Sequence, residues 1–162
     1  MKHTLLLKVR NHAGVMAHVV GLFARRGYNI DSIAVGTRED PKESTITIIV
    51  DDQGNHKIIR QIDNQLRKLV DVLSITDFHY NESANRELAL ILVKYDQKEL
   101  SELLELVNVY DANVEDMTSD TLLIDISGVS RKVRSLINML AEKYEIVEMA
   151  RTGEIALPYQ NV

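Results

Sequence analysis

The sequence predicts an α+β protein built from two successive βαββαβ units, and three observations carry that expectation. β-Branched and leucine-rich runs alternate with stretches whose apolar residues recur at helical spacing. The order strand, helix, strand, strand, helix, strand is complete by about residue 80 and then starts again. Polar, proline or glycine breaks stand between segments, where the chain has to turn. Helices covering one face of each antiparallel sheet would leave the other face to be hidden by a second domain or subunit.

In the first unit, His3 to Arg10 reads as a strand, Gly14 to Arg26 as a helix and Asn29 to Gly36 as a strand. Glu39-Asp40-Pro41-Lys42 is a polar turn stiffened by its proline, and Glu43 to Val50 is a third strand rich in β-branched residues. Asp51 to Asn55 is a second polar break. His56 to Val70 carries Ile62, Leu66 and Leu69 at helical spacing, and Asp71 to Tyr80 closes the unit as a strand. Domains of residues 1–80 and 86–162 follow, joined by a linker at 81–85. In the second unit the strand Arg86 to Tyr95 leads to a helix over Glu99 to Val109. Strands over Val114 to Thr118 and Thr121 to Ser127, a helix over Arg131 to Tyr144 and a short strand over Ile146 to Ala150 complete it. Both units are ferredoxin-like in their order of elements.

The most informative stretch is Asn11 to Ser32. Val15, Val19, Leu22 and Phe23 share one helical face, with Met16 and Val20 beside it. Asn11 is a residue for capping or turning, and Gly14 suits a left-handed or closely approached backbone. Gly27 follows Arg25 and Arg26 where a helix C-terminus favours glycine and cations. The first amides of such a helix lack intrahelical partners and attract a carboxylate. Asn11, the Gly14-Val15-Met16 backbone, Asn29 and Ile30 together offer carboxylate donors, ammonium acceptors and an apolar slot, which an amino-acid zwitterion needs. Spacing alone favours a plain capping and turning role for both asparagines.

Composition excludes several classes of function. The hydrophobic fraction of 45% beside 27% charged residues is that of a globular protein. Aromatics make up 5% with no Trp, and the net charge is −5, a poor basis for binding nucleic acid or an anionic membrane. There is no cysteine, so disulfides, thiolate catalysis and Cys-ligated metals are out. No apolar run reaches membrane-spanning length, and a cytoplasmic protein is expected. His12 and His18, six residues apart, have no standard metal-ligand spacing, and Gly21 and Gly27 do not form a phosphate loop.

Four separated blocks carry a resemblance. Asn11-His12-Ala13-Gly14-Val15-Met16, Val19 to Phe23 and Arg25 to Ser32 closely resemble the opening of the small, regulatory subunits of acetolactate synthase (acetohydroxyacid synthase). The resemblance continues through Gln61 to Leu73, Arg86-Glu87-Leu88 and Ala150 to Leu157, and so covers nearly the whole chain. It implies an N-terminal ACT domain, an amino-acid-binding βαββαβ module, followed by a C-terminal ferredoxin-like domain. It also implies a subunit without catalytic residues, acting on a large subunit that carries thiamine diphosphate, magnesium and FAD and condenses pyruvate with a second 2-oxo acid. The family's effector, L-valine above all, lies between the ACT domains of a homodimer. Carried over, Asn11, Gly14, Val15 and Met16 of one copy would face Asn29 and Ile30 of the other. The chain departs from the family pattern with Met16 for leucine, His18 for arginine and Thr45 for arginine. A freestanding tandem-ACT sensor acting on another enzyme or on transcription, and a metal-responsive module of the same shape, are the alternative classes.

Overall fold

A computed structural model describes residues 2–51 and 56–160 of the chain. The first unit runs β1 (Lys2–Arg10), α1 (Val15–Arg26), β2 (Ser32–Thr37), β3 (Glu43–Asp51), α2 (His56–Leu66) and β4 (Val72–His79). After a 3₁₀ turn at Tyr80–Glu82 come β5 (Ser83–Lys94), α3 (Leu100–Val109), β6 (Asn113–Met117), β7 (Thr121–Gly128), α4 (Ser130–Lys143), β8 (Glu145–Arg151) and β9 (Ile155–Pro158). The expected α+β architecture of two βαββαβ units is thus present. The antiparallel sheets have the orders β2-β3-β1-β4 and β6-β7-β5-β8, the same permutation twice.

Period-two alternation in β1 turns Leu5, Leu7 and Val9 to the helix side, where they pack with Val15, Val19, Leu22 and Phe23 of α1 and Ile59, Ile62 and Leu66 of α2. Helix α1 stops at Gly27 (φ 68°), whose N–H donates to the Ala24 carbonyl while Tyr28 N–H donates to Phe23, the paired bonds of a Schellman cap. Tyr28 packs against this core and its hydroxyl donates to Gln61 at 2.8 Å. On the opposite sheet face, register aligns Ser32, Ile49, Thr4 and Phe78 in one row across four strands. Thr4 and Ile49 in that row are fully buried.

The second unit repeats the plan. Ala89, Ile91 and Val93 of β5 and Leu122, Ile124 and Ile126 of β7 pack under Leu103, Val107, Val133, Leu136 and Leu140. Glu87 is buried yet satisfied, accepting from the Ser130 hydroxyl at 2.9 Å and from the Arg151 guanidinium.

Four boundaries differ from the sequence expectations. Asn29–Asp31 lies outside β2, because Asp31 N–H donates to the Ile49 carbonyl only as the strand begins. Helix α2 ends at Leu66, and 67–71 tighten into turns through Lys68 to Gln65 and Leu69 to Leu66 bonds. The stretch 81–85 is taken up by the 3₁₀ turn and the first residues of β5. The compact units themselves are 1–84 together with 154–162, and 85–153. Residues 154–160 return to the first unit, where Glu154 N–H donates to Ser32 Oγ at 2.7 Å and Tyr80 donates its hydroxyl proton to the Glu154 carboxylate at 2.8 Å. The polar break read at Asp51 to Asn55 falls mostly on 52–55, outside the described residues.

Candidate functional site

The turn between β1 and α1 is built by its own hydrogen bonds. Arg10 N–H donates to the Asp71 carbonyl, and Asn11 N–H donates to the Lys42 carbonyl at 2.7 Å. The Asn11 side-chain amide donates to the Pro41 carbonyl at 2.8 Å, so Asn11 ties the β2–β3 loop to this turn while remaining exposed. Its turning role is therefore real, alongside any contact with a ligand. Gly14 takes φ 94° at the helix N-cap, in the region that favours glycine. A Cβ there would meet nothing within 4 Å, so the space in front of the turn is open. No side chain caps α1, and its first turn contains no acidic residue. The end that attracts anions is accordingly left unblocked.

The six residues predicted for the site divide into two groups. Asn11, Gly14 and the backbone of Val15 and Met16 stand at the N-terminal end of α1. Val15 itself is 4% exposed and its side chain belongs to the core, so only its main chain is available to a ligand. Met16 is half-buried against the same core. Asn29 and Ile30 follow the other end of the helix; Asn29 donates to Asp31 at 3.2 Å and Ile30 leans on the core. The twelve-residue helix α1, roughly 18 Å long at 1.5 Å per residue, starts at the first group and ends before the second. Sheet register agrees, since Ser32 aligns through Ile49 with Thr4, whereas Thr37 aligns through Ser44 with Val9. A single chain does not bring the two groups together.

The fold also assembles a cluster that the sequence did not disclose. Asp71, where the chain enters β4, reaches between two histidines: one carboxylate oxygen lies 2.7 Å from His12 Nε2, the other 3.3 Å from His18 Nδ1. His12 Nδ1 is 2.9 Å from the Ala13 carbonyl. That carbonyl, and then the Asp71 carboxylate, hold His12 above its ordinary pKa. The hydrogen bond from His12 in turn holds Asp71 below the usual carboxylate value, with His18 adding to the effect. Fifty-nine residues separate His12 from Asp71, so no spacing rule signals the contact. Among the described residues no group of three or more His, Cys, Asp or Glu side chains is arranged to hold a metal ion. Among the same residues no helix is long and apolar enough to cross a membrane.

Comparison with known proteins addresses the whole chain. Residues 5–74 match the family described as AHAS small subunit-like ACT domain, and residues 86–160 match that described as the small subunit of acetolactate synthase. A probable acetolactate synthase small subunit from Archaeoglobus fulgidus is 39% identical over 157 residues, 97% of this chain and 96% of that protein. The small subunit from Mycolicibacterium smegmatis is 38% identical, covering 96% of this chain and 89% of its own. The crystal structure of the small subunit from Thermotoga maritima superposes with a TM-score of 0.90 at 38% identity, over 100% of this chain and 99% of that one. With both units matched in order and the fold shared end to end, the chain belongs to the family of small, regulatory subunits of acetolactate synthase.

Proposed function

We propose that this chain binds the large catalytic subunit of an acetolactate synthase, raises its turnover, and makes it subject to feedback inhibition by a branched-chain amino acid, L-valine first. The effector lodges between the first units of two copies. The observation that carries this reading is the separation of the two residue groups within one unit. Strand β2 lies at the edge of its sheet, with Val35 half-exposed. Two copies meeting antiparallel along β2 set the start of one strand beside the end of the other. Asn29 and Ile30 of one copy then approach the open turn at Asn11 and Gly14 of the second. The turn supplies the first amides of α1 for the effector's carboxylate, asparagine oxygens accept from its ammonium, and Met16 with Ile30 lines the side chain. An effector that bridges two copies favours one arrangement of them, and the catalytic partner feels the difference; coupling of about 1–3 kcal/mol is ordinary for such linkage. Thiamine diphosphate, magnesium and FAD belong to that partner in this reading.

Calorimetry with L-valine, L-leucine and L-isoleucine, paired with assays of the catalytic subunit, tests it. Activation by the wild-type chain, inhibition by valine, and Asn11→Ala that still activates but no longer confers inhibition are the expected results. Binding of a branched-chain amino acid with no effect on the catalytic subunit would favour a freestanding sensor instead.

A further inference from the structure

We propose that His12, His18 and Asp71 form a protonation-dependent clamp on the effector turn, so that an amino-acid carboxylate is held more tightly at acidic than at alkaline pH. This rests on the effector reading above and extends it to the regulation of the same site.

The geometry of His12 is the starting point. Its Nδ1 faces the Ala13 carbonyl at 2.9 Å and its Nε2 faces Asp71 Oδ1 at 2.7 Å. A carbonyl and a carboxylate oxygen only accept, so both contacts are satisfied together only when each ring nitrogen carries a proton. A neutral ring turns one lone pair toward an acceptor oxygen, and one of the two contacts must open. Either opening loosens the turn: release of Ala13 frees the peptide that leads into Gly14, and release of Asp71 unties the turn from the entry to β4. His18, one turn into α1, meets the second carboxylate oxygen, so one anion serves two imidazoles. Arg10 at the end of β1 opposes the charge on His12. Side-chain exposures of 49% for His12 and 60% for His18 leave both rings open to solvent at the turn. A protonated His12 therefore adds a formal positive charge to an end of α1 that already attracts anions.

The sign follows from linkage. A carboxylate bound beside the imidazolium favours its protonated form, so binding takes up a proton and weakens as pH rises through the His12 titration. The dissociation constant for L-valine, measured by calorimetry on the full chain, should rise about tenfold from roughly pH 6 to pH 8.5, the fold-change of one pKa unit of coupling. His12→Gln should flatten the profile at the weak, alkaline limit, and His12→Lys should keep binding tight across the range. Asp71→Asn should move the midpoint to lower pH, with a matching fall of the His12 pKa read from its imidazole proton resonances by NMR. A flat profile in a wild-type chain that binds valine, or an unchanged slope in His12→Gln, overturns the clamp and leaves the effector site standing. Absence of binding to all three branched-chain amino acids at every pH overturns the effector site, and the clamp with it.

Discussion

The two units share strand order and the placement of both helices, yet they differ at the turn between first strand and first helix. In the first unit this turn ends in Gly14 at φ 94°, carries His12 with His18 one turn into the helix, and has no acid in the first helical turn. In the second unit the matching turn is filled. The buried Tyr95 donates its hydroxyl proton to the Thr118 carbonyl at 2.8 Å, and the Gln97 side chain donates to the Ser119 carbonyl. Glu99 stands at the N-cap of α3, its carboxylate accepting from Asp96 N–H at 3.0 Å, and Glu102 follows in the first turn. Acidic side chains in and beside the first turn of that helix disfavour a ligand's carboxylate there. Identical topology thus gives one end fit for an anionic ligand group and one end closed to it, and side chains make the distinction.

Breaking the cores is the heaviest test of this parallel. Phe23→Ala in the first unit should cost about 3–5 kcal/mol and Leu122→Ala in the second about 2–5 kcal/mol, because both side chains are fully enclosed. Denaturant melts report the losses, and only Phe23→Ala, on the core face of the effector helix, should also weaken effector binding when both variants are compared while folded. Gly14→Asp sets a carboxylate against the ligand's own. Effector affinity should fall by roughly a hundredfold or more, as several kcal/mol of like-charge repulsion requires. Glu99→Gly in the second unit should leave that affinity unchanged, and any large effect there would undo the contrast between the two turns. Gly27→Ala forces a Cβ into φ 68° and should cost about 1–2 kcal/mol by thermal melting, although no atom lies within 4 Å.

The pH response should be smallest. His12, raised from its ordinary 6.5, contributes stability below that value and loses it as pH rises through the folded-state pKa. Asp71, lowered from 3.8, contributes above that value and loses it as pH falls through its folded-state pKa. Wild type should therefore exceed Asp71→Asn in melting temperature at about pH 5–6, and the gap should narrow by pH 9.

Much of the fold was legible because local signals agreed. The stripe Val15, Val19, Leu22, Phe23 and the glycine at position 27 define α1 without help from the rest of the chain. The same stripe already assigned the Val15 side chain to the core, leaving only its backbone for a ligand. What escaped the sequence depends on distant partners. Asn29 to Asp31 brings only Ile30 to a strand pattern, and the register with β3 starts at Ser32. Strand β9 spans four residues, too few to display a period, and follows a Glu154 that Ser32 and Tyr80 hold. Tyr28, equally suited to core or interface, is decided by Gln61, and the His12–Asp71–His18 cluster by the entry of β4.

The return of Glu154 and β9 to the first unit has a consequence for biogenesis. While a ribosome is still extending the second half, the row Ser32, Ile49, Thr4 and Phe78 lacks the strap anchored at Ser32. The earliest part of the polypeptide to emerge is thus among the last to be sealed. Truncation at Ala84, although it keeps β1 to β4 with α1 and α2, removes β9 and should yield a stickier and less soluble fragment than the full chain, as judged by light scattering.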